Sequence, residues 1–143
     1  MSNKLSRKEI EAVLNITIDK RLKYFKNIVG DKCSIWLCAD NNGDLFTGLD
    51  KNNNKCLFVW PAKEYAEFLL TQTSLKAFKS INFLKSMDIH DFLDEYIDEL
   101  IEQNIKIMIF PTENGGALMS AESFRNMMIE ELLKYEDYED NVS

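Results

Sequence analysis

The stretch "KCLFVWPAKEYAEFL", residues 55–69, changes from strand-like to helix-like sequence at a single proline. Its first half is apolar and rich in aromatic and branched side chains, which is typical of a buried strand. Pro61 then fixes φ near the helical value, lacks an amide hydrogen that the first helical turn could not bond, and favours an extended conformation at Trp60. The stretch therefore predicts a strand over 56–60 followed directly by a helix.

A second aromatic-proline pair, Phe110-Pro111, closes the apolar run "IKIMIFP". If strands 56–60 and 105–110 run parallel, Trp60 and Phe110 end at the same edge of the sheet, and ligands of open α/β sheets favour that carboxyl edge. Two interpretations stay open. The two aromatics border a binding pocket, or they pack on the core while the prolines end the strands, and the second is favoured.

Turn signals and hydrophobic periodicity predict the other elements. Before residue 56 they are a helix that begins after the capping box at Ser6 and stops at Gly30, and strands at 33–39 and 44–49 joined by an Asn42-Gly43 turn. In the second half of the chain they are an edge strand in "KSINFLKSM", a helix at 89–103 capped by Asp88, a strand at "ALM" and a capped final helix to Tyr135. The order predicts one α+β domain over residues 1–135. Its mixed sheet has five or six strands, begins with an antiparallel meander and packs with about four helices. We expect residues 136–143 to form a disordered acidic tail.

The inventory of reactive residues excludes several kinds of chemistry. The 143 residues include one histidine, His90, so zinc sites built on histidine pairs are excluded. The three cysteines have no CxxC pair, which argues against a disulfide framework. No glycine-rich phosphate loop or nucleophile-elbow motif is present. The sequence predicts no metal, no cofactor and no catalytic residue. A nucleophilic arrangement of Cys38 with His90 has no support beyond the presence of both residues.

Charge is distributed unevenly along the chain. The whole chain carries −7, whereas residues 88–143 contain 3 Lys/Arg and 15 Asp/Glu, a net charge of −12. The helix predicted over 89–103 concentrates acidic residues on the face opposite its apolar stripe. These candidate binding residues are Asp94, Glu95, Asp98 and Glu99. A solvated acidic face and a docking surface for a basic partner are both open, and the field of this end would repel nucleic acid.

Several segments carry a resemblance to a known family. In order and spacing, "RLKYFKNIV", "IWLCADNNGDLF", "CLFVWPAKEYAEFLL", "DFLDEYIDELIEQNIKIMIFP" and "GALMSAESF" resemble the bacterial domain-of-unknown-function family 2750. The resemblance covers about residues 20–133, and it implies a fold but no activity and no site residues. A weaker similarity is to the SseB-like proteins, which suggests regulation or partner binding.

Three functional hypotheses follow. The leading one is a cytoplasmic, non-enzymatic protein-interaction module, a regulator or an immunity-type partner, that uses its acidic helices or its aromatic sheet edge to contact a protein with a basic surface. The alternative is a small-molecule-binding protein or enzyme with a pocket near Trp60 and Phe110. The third, nucleic-acid binding through the basic residues of the N-terminal region, is disfavoured by the overall charge. No transmembrane or signal segment is predicted, and the oligomeric state is left open.

Overall fold

The chain is an α+β domain built on a mixed sheet. A computed structural model describes residues 6–39, 45, 47–49, 52–72, 83–112 and 115–142. The helices of this part are α1 (Arg7–Leu14), α2 (Ile18–Lys32), α3 (Lys63–Gln72), α4 (Ile89–Glu95), α5 (Ile97–Glu102) and α6 (Ala121–Val142). The strands are β1 (Ser34–Ala39), β2 (Thr47–Leu49), β3 (Lys55–Trp60), β4 (Phe83–Asp88), β5 (Lys106–Thr112) and β6 (Gly115–Met119).

The sheet confirms the predicted fold class. Its strand order is β4-β1-β3-β5-β6, and β2 also pairs with β3. The pair β3–β5 is parallel and the other strand pairs are antiparallel. Val59 lies opposite Ile109 in this parallel pair. Trp60 and Phe110, the next residue of each strand, therefore lie side by side at the carboxyl ends of β3 and β5. The strand β4 lies at the outer edge, as predicted from its alternating sequence.

The N-terminal strands form a looser meander than predicted. β1 pairs directly with β3, with Trp36 opposite Trp60, and β2 pairs with the other half of β3, with Thr47 opposite Leu57. β1 meets the segment before β2 at a single bridge, Ala39 to Leu45. β1 and β2 therefore share one side of β3. The predicted Asn42-Gly43 turn lies outside the described residues.

One face of the sheet forms the centre of the core. Side chains alternate between the faces of a strand, and the register of the pairs places six aliphatic residues on one face. They are Ile35, Leu37, Leu57, Val59, Ile107 and Ile109, each at most 1% exposed. Phe124 of α6 packs against Phe25 of α2 and Phe92 of α4, with ring centres 6.2 and 5.8 Å apart. These aromatic contacts join the three helices in the hydrophobic core.

The described part of the chain contains six helices, where the sequence predicted about four. The N-terminal region divides at Thr17, whose extended backbone and side-chain hydrogen bond to the Lys20 amide begin α2. The helix predicted over 89–103 divides at Tyr96, where φ is −114°. The caps of Ser6 and Asp88 are confirmed, since both side chains accept hydrogen bonds from amides of the first turn.

Three predicted element boundaries are wrong. α2 does not stop at Gly30 but continues to Lys32, and Cys33 ends it in the left-handed conformation, with φ 56°. The strand β5 passes through Phe110 and Pro111 and ends at Thr112, with a register shift after Ile109. Pro61 and Ala62 form a bend before α3, so Pro61 is not the first residue of the helix.

The final helix continues to Val142, past the predicted end at Tyr135. No glycine or proline interrupts 121–142, so no helix breaker stops it there. The predicted disorder of 136–143 and the predicted domain boundary at residue 135 both stay predictions. Over the described ranges, no helix has the length and apolar character needed to cross a membrane.

Candidate functional site

The aromatic pair at the carboxyl edge of the sheet is packed inside the protein. Trp60 is 0% and Phe110 is 1% exposed. The Trp60 ring contacts Phe58, with ring centres 6.3 Å apart, and the Phe110 ring contacts Tyr65 at 4.7 Å. The geometry therefore supports a packing role for both rings, and a ligand would reach them only after their covering residues moved.

A small hollow of about 280 Å³ lies beside this edge. Its walls include Tyr24, Trp36, Pro61 and Tyr65, and the Tyr24 and Tyr65 hydroxyls are 2.9 Å apart. Burial, followed by the hydrogen bond that Tyr65 donates to Tyr24, raises the pKa of Tyr65 above its usual range. Tyr65 consequently stays protonated at neutral pH, where it can donate or accept a hydrogen bond but cannot serve as a base.

The four predicted acidic residues are all exposed, but they do not form one site. Asp94 and Asp98 line a groove between α4–α5 and α6, which we call the α4–α6 groove. Glu99 lines a different hollow, between α5 and β2–β3, where its Oε1 accepts a hydrogen bond from Gln103 at 3.0 Å. Glu95 lines neither the groove nor that hollow. The structure therefore brings together only two of the four.

The α4–α6 groove has an apolar floor and a polar rim, and encloses about 340 Å³. It is lined by His90, Leu93, Asp94, Asp98, Arg125, Ile129, Leu132 and Leu133. Ile129 is 43% and Leu133 is 49% exposed, and they are two of the four large hydrophobic residues exposed in the described part. Because they are four residues apart on one helix, they form a single apolar strip.

The rim of the groove is acidic on the α4–α5 side. Arg125 Nη1 lies 3.3 Å from Asp98 Oδ1, and the Asp98 side chain remains 78% exposed. Asp94 forms no ion pair within the described ranges. His90 Nδ1 lies 3.2 Å from Asp88 Oδ1, the carboxylate that caps α4. A cationic side chain entering the groove would meet two exposed carboxylates, those of Asp94 and Asp98. Of these, Asp98 already pairs with Arg125.

The geometry does not support the nucleophilic pairing of Cys38 with His90. In the β1–β4 pair, Ser34 is opposite Asp88 and Cys38 is opposite Leu84. Four residues of strand separate the two positions, roughly 13 Å. Cys38 is also fully buried, and desolvation raises the pKa of its thiol to about 12. The thiol is therefore neutral at physiological pH and is not a nucleophile.

The basic N-terminal patch is smaller than its sequence suggested. Arg21 is 3% exposed, and its Nη1 donates a hydrogen bond to the Leu14 carbonyl at 3.0 Å. Arg7 pairs with Glu11 at 3.1 Å. The lysines of this patch are Lys8, Lys20 and Lys23, which are exposed, and Lys26, which is half-buried.

Sequence reasoning missed the apolar half of the α4–α6 groove. Ile129 and Leu133 belong to the run "MMIEELL", in which Met128 and Leu132 already supply the buried stripe. The available signal was that this run contains more apolar residues than a single buried stripe needs. The spacing alone did not show which of them the core would leave exposed.

Comparison with known proteins places the chain in a family. A family model described as "Protein of unknown function (DUF2750)" matches residues 22–128. The chain belongs to the DUF2750 family. No curated protein and no solved structure matches it. The weaker similarity to the SseB-like proteins is not shown by these comparisons and stays a hypothesis.

The DUF2750 match extends from α2 into α6 and includes Asp94, Asp98 and Arg125. It ends at Met128, so Ile129 and Leu133 lie outside the matched residues. The matched residues therefore include the charged residues of the groove and do not include its exposed apolar strip.

Proposed function

We propose that this DUF2750 protein is a non-enzymatic protein-interaction module, a regulator or an immunity-type partner, whose α4–α6 groove binds another protein. The observation that supports the proposal is the exposed pair Ile129 and Leu133 beside Asp94, which has no ion pair among the residues that the structure describes. Exposed aliphatic strips rimmed by polar groups are typical of protein-binding surfaces. The partner presents a basic surface, because the groove lies in the acidic part of the chain.

The test is a pull-down of the tagged protein from its native cells, washed at low and at high salt. We expect one stoichiometric protein that is lost at high salt, lost with Asp94→Lys or Leu133→Gln, and retained with Glu95→Lys. Glu95→Lys is a matched control, since it makes the same charge change one residue away, outside the groove. A partner retained by both groove variants would contradict the proposal.

The alternative is a small-molecule-binding protein or enzyme that uses the hollow beside Trp60 and Phe110. It is favoured by the position of that hollow at the carboxyl edge of the parallel pair β3–β5. The half-buried Trp36 and the tyrosine pair would then supply the ligand contacts. Absence of any protein partner at both salt concentrations would favour this alternative.

A further inference from the structure

The walls of the α4–α6 groove are helices, and this limits the backbone conformation of whatever binds there. α4, α5 and α6 satisfy their backbone amides and carbonyls internally, apart from the groups at their ends. A peptide that binds by strand addition needs a strand edge, and every lining residue of the groove lies on a helix. An α-helix brings its backbone already paired and needs only side-chain contacts. The groove therefore suits a helix and does not suit a segment that binds by strand addition.

The length of the groove sets the length of the bound helix. On α6 the lining extends from Arg125 to Leu133. Eight residues of helix rise about 12 Å, so the groove is a little over two turns long. A helix of about three turns would cover it from end to end.

The charges of the groove set the face that this helix presents. Asp94 and Asp98 are four residues apart on the α4–α5 side, and the apolar strip of Ile129 and Leu133 lies on the α6 side. A complementary helix carries basic residues one turn apart toward α4–α5 and aliphatic residues one turn apart toward α6. A second copy of the chain is a poor occupant, since each copy carries −7 and would bring like-charged rims together.

We infer that the α4–α6 groove binds one amphipathic basic α-helix of a partner protein. Its Lys or Arg side chains pair with Asp94 and Asp98, and its aliphatic side chains pack on Ile129 and Leu133. The inference rests on the proposed function and adds the structure and chemistry of the bound segment.

The test uses the full chain and three labelled peptides of about 15 residues, long enough to form a helix in water. The first is a Leu/Lys/Ala helix with its leucines on one face, the second has the same composition in scrambled order, and the third has a central proline. Binding is measured by fluorescence anisotropy at low and at physiological salt. We expect the first peptide to bind at least tenfold more tightly than the other two.

Variants of the full chain locate the binding. Asp94→Lys and Leu133→Gln should each weaken binding of the amphipathic peptide about tenfold, whereas Glu95→Lys and Leu118→Gln should leave it within twofold. Leu118 is a matched control because it is 39% exposed on β6, away from the groove. Circular dichroism of each variant confirms that it is folded.

Each remaining outcome contradicts the inference. Equal binding of the three peptides would show non-specific attraction to an acidic protein. No binding of the amphipathic peptide would also overturn it. If the pull-down partner still depends on Leu133 while the peptide does not bind, the helix inference fails and the proposed function stands. Self-association lost with Leu133→Gln in analytical ultracentrifugation would replace the helix with a second copy.

Discussion

At the scale of single residues, Gly30 shows how a local signal can be overridden. Glycine typically follows a helix, yet Gly30 lies inside α2 and Cys33 takes the left-handed position. A Cβ built at residue 30 would lie 2.7 Å from Tyr135 Cε2 and 3.2 Å from Glu131 Cγ. The Tyr135 hydroxyl also donates to the Asn27 carbonyl at 3.2 Å. Glycine is present here because α6 approaches α2 closely.

Whether Gly30→Ala raises or lowers the free energy of unfolding should therefore depend on the presence of the Tyr135 ring. In the parent chain we expect the free energy of unfolding to fall, since the methyl group overlaps the tyrosine ring. In a Tyr135→Ala background the same substitution should raise it by about 1 kcal/mol, the difference in helix propensity between alanine and glycine. Urea unfolding of the four chains measures the coupling, which we expect to be about 1–3 kcal/mol. Additive effects would show that the ring does not restrict residue 30.

At the scale of elements, the strand pair β5–β6 is bent at Phe110-Pro111. Phe110 has φ 54°, which is unusual for a bulky residue, and the register shifts between Ile109 and Thr112. Proline is tolerated in a sheet at such a bulge because its missing amide hydrogen is not needed there. A Cβ at Gly116 would lie 2.6 Å from the Ile109 carbonyl oxygen and 3.0 Å from Pro111 Cα. The bulge and the glycine opposite it form one structural unit.

Gly116→Ala should consequently lower the free energy of unfolding by about 1–3 kcal/mol, the usual range for overpacking. The clash is with backbone atoms, which cannot rotate away as a side chain can. Thermal unfolding followed by circular dichroism measures the effect. Gly30→Ala in the Tyr135→Ala background is the control, because the same chemical change there meets only the flexible Glu131 side chain, 3.2 Å away. A melting temperature unchanged by Gly116→Ala would mean that β6 does not pack this closely on the bulge.

At the scale of the whole molecule, burial of Cys38 makes stability depend on pH. Burial raises the pKa of the Cys38 thiol to about 12 in the folded protein, from an ordinary value of 9.0. The cause is desolvation, which disfavours the thiolate. Between these values the folded state holds the proton that the unfolded state releases. The stabilisation is complete below pH 9 and is lost as pH rises toward 12.

We expect the free energy of unfolding to fall by about 1.4 kcal/mol between pH 8 and pH 10 through this residue. Urea unfolding at a series of pH values measures the slope. Cys38→Ala should flatten it, although the absolute stability falls because a buried side chain is lost. Leu37→Ala is the control, because it also removes a fully buried side chain of β1 but one that does not titrate, and it should leave the slope unchanged. An identical slope in the Cys38→Ala chain would contradict the assignment.

The sequence by itself determined the class of the fold and the type of most described elements. The signals for these elements depend on residues close together in the sequence. They are hydrophobic periodicity, the caps at Ser6 and Asp88, and the helices that connect β3 to β5. These local effects predicted the mixed sheet correctly and allowed the parallel pair that the structure has. The concentration of charge in residues 88–143 was equally plain from composition.

Only the tertiary structure decided which of the predicted residues meet. It buried Trp60 and Phe110, divided the four acidic residues between separate surfaces, and left Ile129 and Leu133 exposed. It also kept α2 helical past Gly30, where Tyr135, more than a hundred residues away in the chain, packs on the helix and bonds the Asn27 carbonyl. The physical reason is that burial and close approach depend on contacts between distant segments, whereas periodicity and capping depend on neighbours in the sequence.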